Sequence, residues 1–286
     1  MRLPWHVCLI PPVLASLVLF VVPQAAFVRG SLFQNLGYGR IGSVLTVENY
    51  RAFLEDPFYQ EALARTAGLS LVDAVVCLAI GFPIAYRLAR SRSRWRSVWL
   101  TLLIASSLIT VVIKALGMMI LLSANGPVNQ AVLGLGLVAE PLRLLNNQVG
   151  VVLGLVHYTL PLVILVLFSV IQTIPEDLEA AARSLGACPW RALARVVIPL
   201  ALPGIVAASL MAFNLSMGAF TSTALLGGGK VLTLPILIQR KVVLEVNYPL
   251  AATISLVLLL SGLLLNLVVL RIVVRLRRGA PVGVAG

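Results

Sequence analysis

Six long stretches of this 286-residue chain contain no charged side chain apart from Asp73 and Lys114. Each is long enough to cross the hydrocarbon core of a bilayer as a helix, which takes about 20 apolar residues. Composition agrees, because only 11% of the residues are charged, against roughly 25% in soluble domains. The sequence therefore predicts an all-α integral membrane protein, a single transmembrane domain over 1–286 with six spans. We place these spans at about 7–28, 66–87, 98–122, 149–172, 197–221 and 248–271.

The distribution of Lys and Arg predicts the orientation of the spans. Arginine clusters at 87–96, 183–195 and 271–278 fall on the same side as the N-terminus, and most of the acids fall on the other side. Because cytoplasmic loops carry the excess of basic residues, we expect both termini inside. This topology explains the net charge of +12, so nucleic-acid binding is not expected. The first span exceeds a usual signal-peptide core and no small-residue cleavage site follows it, which favours an uncleaved anchor.

The segment 174–198 is polar and helix-patterned, although it lies between two apolar spans. Pro175 suits the first position of a helix, and acids follow it in the first turns. Leu178, Ala181, Ala182 and Leu185 share one helical face. Gly186 is placed to end this helix, and Pro189 can begin a second one whose face is formed by Trp190, Leu193, Ala194 and Val197. Two amphipathic helices on a cytoplasmic loop predict a docking element for a groove on a soluble partner.

Four polar side chains are expected at a similar depth inside the spans: Asp73, Lys114, His157 and Asn214. Polar groups are costly in hydrocarbon and usually face a bundle interior. They predict a ring along a substrate passage. Alternatively, Asp73 pairs with Lys114 to hold spans 2 and 3 together, while His157 and Asn214 form hydrogen bonds across helices.

Catalysis and metal binding find little support. The two histidines, His6 and His157, do not form a zinc motif. The sequence 227–230, Gly-Gly-Gly-Lys, resembles a phosphate loop, but Val231 replaces its Ser or Thr and Ala224 its first glycine. We expect no catalytic site, cofactor or metal, and no disulfide among Cys8, Cys77 and Cys188. The segments 47–64 and 231–246 are expected as amphipathic helices on the outer side.

The segment 174–198 resembles the "EAA" coupling loop of permeases in bacterial ATP-binding-cassette importers. With Gly186 as the motif glycine, Ala181 and Ala182 occupy the motif alanines and Ile198-Pro199 its Leu-Pro. The motif glutamate falls on Ala180, and the nearest acid is Glu179. The resemblance implies that the segment couples the chain to an ATPase. The coupling residues would be Leu178, Glu179, Ala181, Ala182, Leu185, Gly186, Ala187 and Trp190.

Nearly the whole chain looks like a spermidine/putrescine (polyamine) importer permease, which implies a type I importer bundle in the bacterial inner membrane. The stretches that carry this resemblance include Glu48-Asn-Tyr-Arg, Gly81-Phe-Pro-Ile-Ala-Tyr-Arg and Asn125-Gly-Pro-Val-Asn. It implies three partners: a cytoplasmic ATPase dimer, a second homologous permease and a periplasmic solute-binding protein. Related permeases carry ferric iron, sulfate, phosphonates or opines, so these solutes remain alternatives. A secondary transporter, an intramembrane enzyme and a non-transporting scaffold are the rival classes.

Overall fold

The computed structural model describes residues 5–278, with side chains for 9–272 and Arg275. The termini of the predicted domain, 1–4 and 279–286, and the side chain of Cys8 lie outside the described residues. The regular secondary structure of the described residues is helical apart from one short hairpin. Its helices are α1 (Trp5–Ser31), α2 (Glu48–Glu55), α3 (Pro57–Arg90), α4 (Trp95–Leu108), α5 (Val111–Leu122), α6 (Pro127–Gly134), α7 (Gln148–Ile171), α8 (Glu176–Ser184), α9 (Pro189–Ala192), α10 (Ile198–Met217), α11 (Thr221–Gly227), α12 (Leu234–Val243) and α13 (Tyr248–Arg278).

The described residues contain six helical segments that are long and apolar enough to cross a membrane. This agrees with the predicted number. The segments are Leu9–Ser31, Pro57–Arg90, Val111–Gly134, Gln148–Ile171, Pro189–Met217 and Tyr248–Ile272.

The third span differs from its prediction. The sequence predicts one helix over 98–122, but the structure separates α4 from α5 at Ile109 and Thr110, whose ψ angles of 131° and 145° are extended. Just before the break, the Ser107 hydroxyl donates to the Ile104 carbonyl at 2.7 Å. Such local side-chain bonds compete with the helical ladder.

A β-hairpin that the sequence does not predict follows α1. Strand β1 (Phe33–Asn35) pairs antiparallel with β2 (Ile41–Leu45), and Phe33 lies opposite Leu45. Gly37 and Gly39 adopt φ angles of +81° and +76° in the connecting loop, a conformation that glycine reaches without steric cost. The helical stretch expected over 47–64 is divided into α2 and the start of α3, because the residue before Pro57 is extended.

The described chain divides into two compact units. The first unit combines the described residues up to Leu63 with Leu234–Ser261. It has its own core, because the helix expected over 231–246 packs its apolar face against residues of α2 and α3. The buried members of this core are Phe53, Tyr59, Ala62, Leu234, Leu237, Leu250 and Ile254.

The second unit, Ala64–Thr233 with the described residues from Gly262 onward, is organised around α7. Helix α7 packs against α4, α5, α10 and α11. Close approach depends on glycines: a Cβ on Gly154 would lie 2.1 Å from Leu226 Cδ1, and one on Gly204 would lie 2.7 Å from Val170 Cβ. Gly154 of α7 and Gly204 of α10 therefore serve helix packing.

Candidate functional site: the 174–198 segment and a buried aspartate

Helix α8 begins after Pro175 and has acids in its first turn, where carboxylates complement the helix dipole. It ends in a Schellman motif. The amide of Ala187 donates to the Ala182 carbonyl at 3.1 Å, and the amide of Gly186 donates to the Arg183 carbonyl at 2.9 Å. Gly186 has a φ of +84°, the left-handed conformation that the motif needs. Gly186 therefore ends the helix, as the sequence predicts, because it adopts the left-handed conformation.

The second helix of the segment is shorter than its sequence pattern predicts. Helix α9 covers Pro189–Ala192 and continues as a π-helical turn, Leu193–Val197, directly into α10. The amide of Ile198 donates to the Leu193 carbonyl, five residues earlier. Pro199 has no amide proton, and its ring would clash with the carbonyl of Arg195 in a regular α-helix. The wider turn avoids that clash, so α9 is mechanically continuous with the span α10.

Large apolar side chains of the segment are exposed. Leu185 is 90% exposed, Trp190 is 72% exposed and Leu178 is 44% exposed. Ala181 is also exposed, and Ala182 and Ala187 are half-buried. This surface could bury apolar area against a partner. We call Leu178, Leu185 and Trp190 the apolar surface of the segment.

Glu179 behaves differently, because it is the buried residue of α8, only 4% exposed. Its Oε1 accepts a hydrogen bond of 2.7 Å from Arg90 Nε, and Arg90 NH2 lies 2.6 Å from the same oxygen. The NH2 contact is an ion-pair contact that lacks hydrogen-bond geometry. Oε2 accepts a hydrogen bond of 2.7 Å from the Tyr86 hydroxyl. Both carboxylate oxygens are therefore engaged within the chain.

Further contacts hold the same region to the end of α3 and the start of α4. Arg92 pairs with Glu176 at 3.1 Å through exposed side chains, and such a pair contributes little. Arg96 donates to Gln172 Oε1 at 3.1 Å, and its guanidinium lies 5.0 Å from the centre of the Phe168 ring. The Arg90–Glu179 pair is much less exposed to water than the Arg92–Glu176 pair. It is therefore the main contact between α8 and the end of α3.

An apolar groove of about 640 Å³ lies beside the segment. It is lined by Leu78, Phe82, Pro83, Tyr86, Trp190 and Ile198, among others. The groove brings one side of α3 to Trp190 and the start of α10. Tyr86 therefore borders the groove and also donates to Glu179.

Asp73 of α3 is fully buried, at 0% exposure. Its Oδ2 accepts a hydrogen bond of 2.5 Å from Ser216 of α10. Thr159 Oγ1 of α7 lies 3.1 Å from both carboxylate oxygens and 3.0 Å from the Leu155 carbonyl, so its single proton serves one of these acceptors. Cys77 Sγ lies 3.5 Å from Oδ1. Asp73 thus joins α3, α7 and α10.

The other three intramembrane candidates do not join Asp73 through hydrogen bonds or ion pairs among the described side chains. Lys114 is 6% exposed, and its Nζ lies 5.8 Å from the centre of the Tyr158 ring. His157 is exposed. Asn214 is exposed and exchanges hydrogen bonds of 3.0 Å and 3.4 Å with Asn266 of α13. The Asp73–Lys114 pair considered from the sequence is therefore absent among the described salt bridges.

Sequence reasoning missed five residues. Tyr86 and Arg90 contact Glu179, Thr159 and Ser216 contact Asp73, and Asn266 contacts Asn214. One signal was available. Tyr86 and Arg90 are four residues apart on a helix, so they share a face. Among the described residues, no group of three or more His, Cys, Asp or Glu side chains could hold a metal ion. Of the cysteines with described side chains, Cys77 is buried and Cys188 exposed, both as free thiols.

Comparison with known proteins identifies the class. Residues 78–280 match the family described as binding-protein-dependent transport system inner membrane component. The spermidine/putrescine transport system permease protein PotB of Escherichia coli K12 is 32% identical over 259 residues, 90% of this chain and 94% of the relative. The same permease of Haemophilus influenzae is 31% identical over 240 residues, 84% of each chain.

The fold agrees with this match. A chain from the crystal structure of a bacterial ABC transporter that imports the acidic polysaccharide alginate superposes with a TM-score of 0.78, 17% identity and 95% coverage of both chains. The predicted importer-permease class and its helical bundle are confirmed. The chain belongs to the family of binding-protein-dependent transport system inner membrane components and is a multi-pass permease subunit of an ABC importer of the inner membrane.

Proposed function

We propose that the chain forms one half of the translocation pathway of a polyamine importer. The observation that carries this proposal is its relation to spermidine/putrescine permeases, at 31–34% identity over 84–90% of the chain. These relatives are matched over 84–94% of their own length, so the likeness extends well beyond the coupling segment. Because a solute pathway involves several spans, similarity over most of the chain supports a shared solute class.

The 174–198 segment is the docking element for a cytoplasmic ATPase dimer in this proposal. Its apolar surface (Leu178, Leu185 and Trp190) is exposed in the isolated chain and would insert into a groove on the ATPase. The turn is shaped by Gly186, and its small side chains are those of Ala181, Ala182 and Ala187. The arginine clusters that favour termini inside also favour a cytoplasmic position for this segment, on the side where ATP is available.

A second, homologous permease and a periplasmic solute-binding protein complete the importer. A crystal structure of the alginate transporter in complex with its periplasmic protein contains a chain of this fold, with a TM-score of 0.77 and 16% identity. The fold is therefore compatible with such an assembly. ATP-driven closure of the ATPases would move the segment, and α9 would pass that movement directly into α10 through the π-helical turn.

Within the membrane, we propose that Asp73 holds α3, α7 and α10 together and does not line the passage. Its full burial and its bonds to Thr159 and Ser216 support this role. Asn214 and Asn266 are the better candidates for the passage. Asn214 is exposed and Asn266 is half-buried in the isolated chain, their amides are hydrogen-bonded to each other, and polar groups avoid lipid.

The test is uptake of labelled spermidine into proteoliposomes that contain the purified importer complex, with ATP inside and binding protein outside. The proposal expects uptake that requires ATP, the ATPase and the binding protein, and that putrescine competes for. If sulfate, phosphonate or ferric iron is imported and spermidine is not, the polyamine assignment is wrong. If the chain transports solute alone without ATP, it is a secondary transporter and the coupling proposal is also wrong.

A further inference from the structure

The only acid of α8 that is buried is tied to a different helix of the same chain. Glu179 and Arg90 have side-chain exposures of 6% and 15%. Arg90 NH1 also donates to the Ile171 carbonyl at 3.3 Å, at the end of α7. One guanidinium therefore contacts α8 and the end of α7 from its position at the end of α3. The acids Glu176 and Asp177 of the same helix are exposed.

A buried, paired carboxylate is not available to a second protein. Glu179 Oε1 is occupied by Arg90 and Oε2 by Tyr86, so a salt bridge to the ATPase would require both contacts to break. Removing one partner of a buried pair leaves the other charge uncompensated. The geometry therefore does not fit Glu179 as a substitute for the motif glutamate, whose position holds the exposed Ala180.

The pair instead gives α8 a second mechanical connection. Along the chain, the 174–198 segment is joined to α7 at one end and to α10 at the other. Helix α3 is not adjacent to the segment in the sequence, and the Arg90–Glu179 pair joins the two through a side-chain contact. Further along α3, Asp73 joins the same two spans, α7 and α10. Three helices that pack as one unit are thereby attached to the docking element.

We propose that Arg90, Glu179 and Tyr86 are positioning residues that transmit movement of the docked ATPase to α3, so that α3 moves with α7 and α10. This inference rests on the proposed docking of the ATPase at 174–198. Glu179 faces the permease while Leu185 and Trp190 face the ATPase. Loss of the contact between Glu179 and α3 should leave ATPase docking intact and uncouple ATP hydrolysis from transport.

The experiment compares four forms of the chain in the complete importer complex: wild type, Glu179→Gln, Arg90→Gln and the exchanged double variant Glu179→Arg with Arg90→Glu. Asp177→Asn is the matched control, because Asp177 is an exposed acid of the same helix. Three quantities are measured in proteoliposomes: ATPase retained on the permease, ATP hydrolysed, and labelled spermidine imported. The ratio of solute imported to ATP hydrolysed reports coupling, and a purely structural role would leave it unchanged.

We expect both single variants to retain the ATPase and to lower the coupling ratio by about two- to thirtyfold, the range of mutational effects on coupling. The exchanged double variant should recover part of the ratio, and Asp177→Asn should equal the wild type. Release of the ATPase by Glu179→Gln but not by Arg90→Gln would overturn the inference, because Glu179 would then belong to the docking interface. Unchanged ratios in both single variants would also overturn it.

Tyr86→Phe provides the same test with a milder change, in case the charged pair is needed for folding. It removes one hydrogen bond to Glu179 and keeps the ring that lines the groove. We expect normal ATPase retention with a reduced coupling ratio, and an unchanged ratio would refute the tie. The wild-type measurement precedes all variants, so a wild-type complex without ATP-dependent uptake would reject the proposed function, and the inference with it, before any variant is compared.

Discussion

Substitution of Leu185 distinguishes an effect on ATPase docking from an effect on permease folding. It is 90% exposed, so truncation to Ala removes almost no packing from the isolated permease. If the side chain becomes buried in an ATPase groove, Leu185→Ala removes about three buried carbon groups there. At about 0.8 kcal/mol per group, the lost binding free energy is roughly 2 kcal/mol. This loss corresponds to a dissociation constant about thirtyfold larger.

The assay measures binding of the purified ATPase to the permease in nanodiscs, with thermal unfolding of each permease variant recorded in parallel. Leu137→Ala is the matched control, because Leu137 is 70% exposed but lies outside the 174–198 segment. We expect weaker ATPase binding for Leu185→Ala alone, with unfolding temperatures unchanged in both variants. A dissociation constant within twofold of the wild type, or equal weakening by Leu137→Ala, would refute the assignment of this surface.

Three further predictions follow from particular contacts. Gly186→Asp should release the ATPase from membranes while the permease remains folded, because the left-handed φ of +84° is strained for other residues by about 1–3 kcal/mol; unchanged co-purification would contradict it. Asp73→Leu should lower the amount of folded permease in membranes, because the buried hydroxyls of Thr159 and Ser216 lose their acceptor, at a cost of about 1–3 kcal/mol. Loss of transport by Asp73→Asn at full membrane levels would instead favour the passage role. Gly204→Ala should destabilise by about 1–3 kcal/mol against Val170, and equal destabilisation by Gly117→Ala, a helical glycine with open space, would refute this reasoning.

The sequence was most informative where the signal is local. Apolar runs predict spans because hydropathy over about 20 residues is itself the physical requirement. The end of α8 was predictable because a glycine in a Schellman motif is a local conformational need. The break at Thr110 and the hairpin before α2 were missed, since high hydropathy does not distinguish a continuous span from an interrupted one. The π-helical turn was also missed, although Pro199 was a visible cause.

The partners of the buried polar groups could not be obtained in the same way. Arg90 and Glu179 are 89 residues apart, and Ser216 and Asp73 are 143 apart. The sequence offered Lys114 as the natural partner of Asp73 because opposite charges attract. Packing instead surrounds Asp73 with hydroxyl and thiol groups, and Lys114 lies beside an aromatic ring. Only the three-dimensional arrangement distinguishes these possibilities.

The side of the membrane on which Cys188 lies tests the central claim most directly. Cys188 is an exposed free thiol within the 174–198 segment, and Cys77 is buried. In a Cys8→Ser variant, a membrane-impermeant maleimide should leave intact cells unlabelled and should label Cys188 in inside-out vesicles, with protection when the ATPase is bound. Labelling of Cys188 from the periplasmic side would contradict the account, because no cytoplasmic ATPase could then reach the segment.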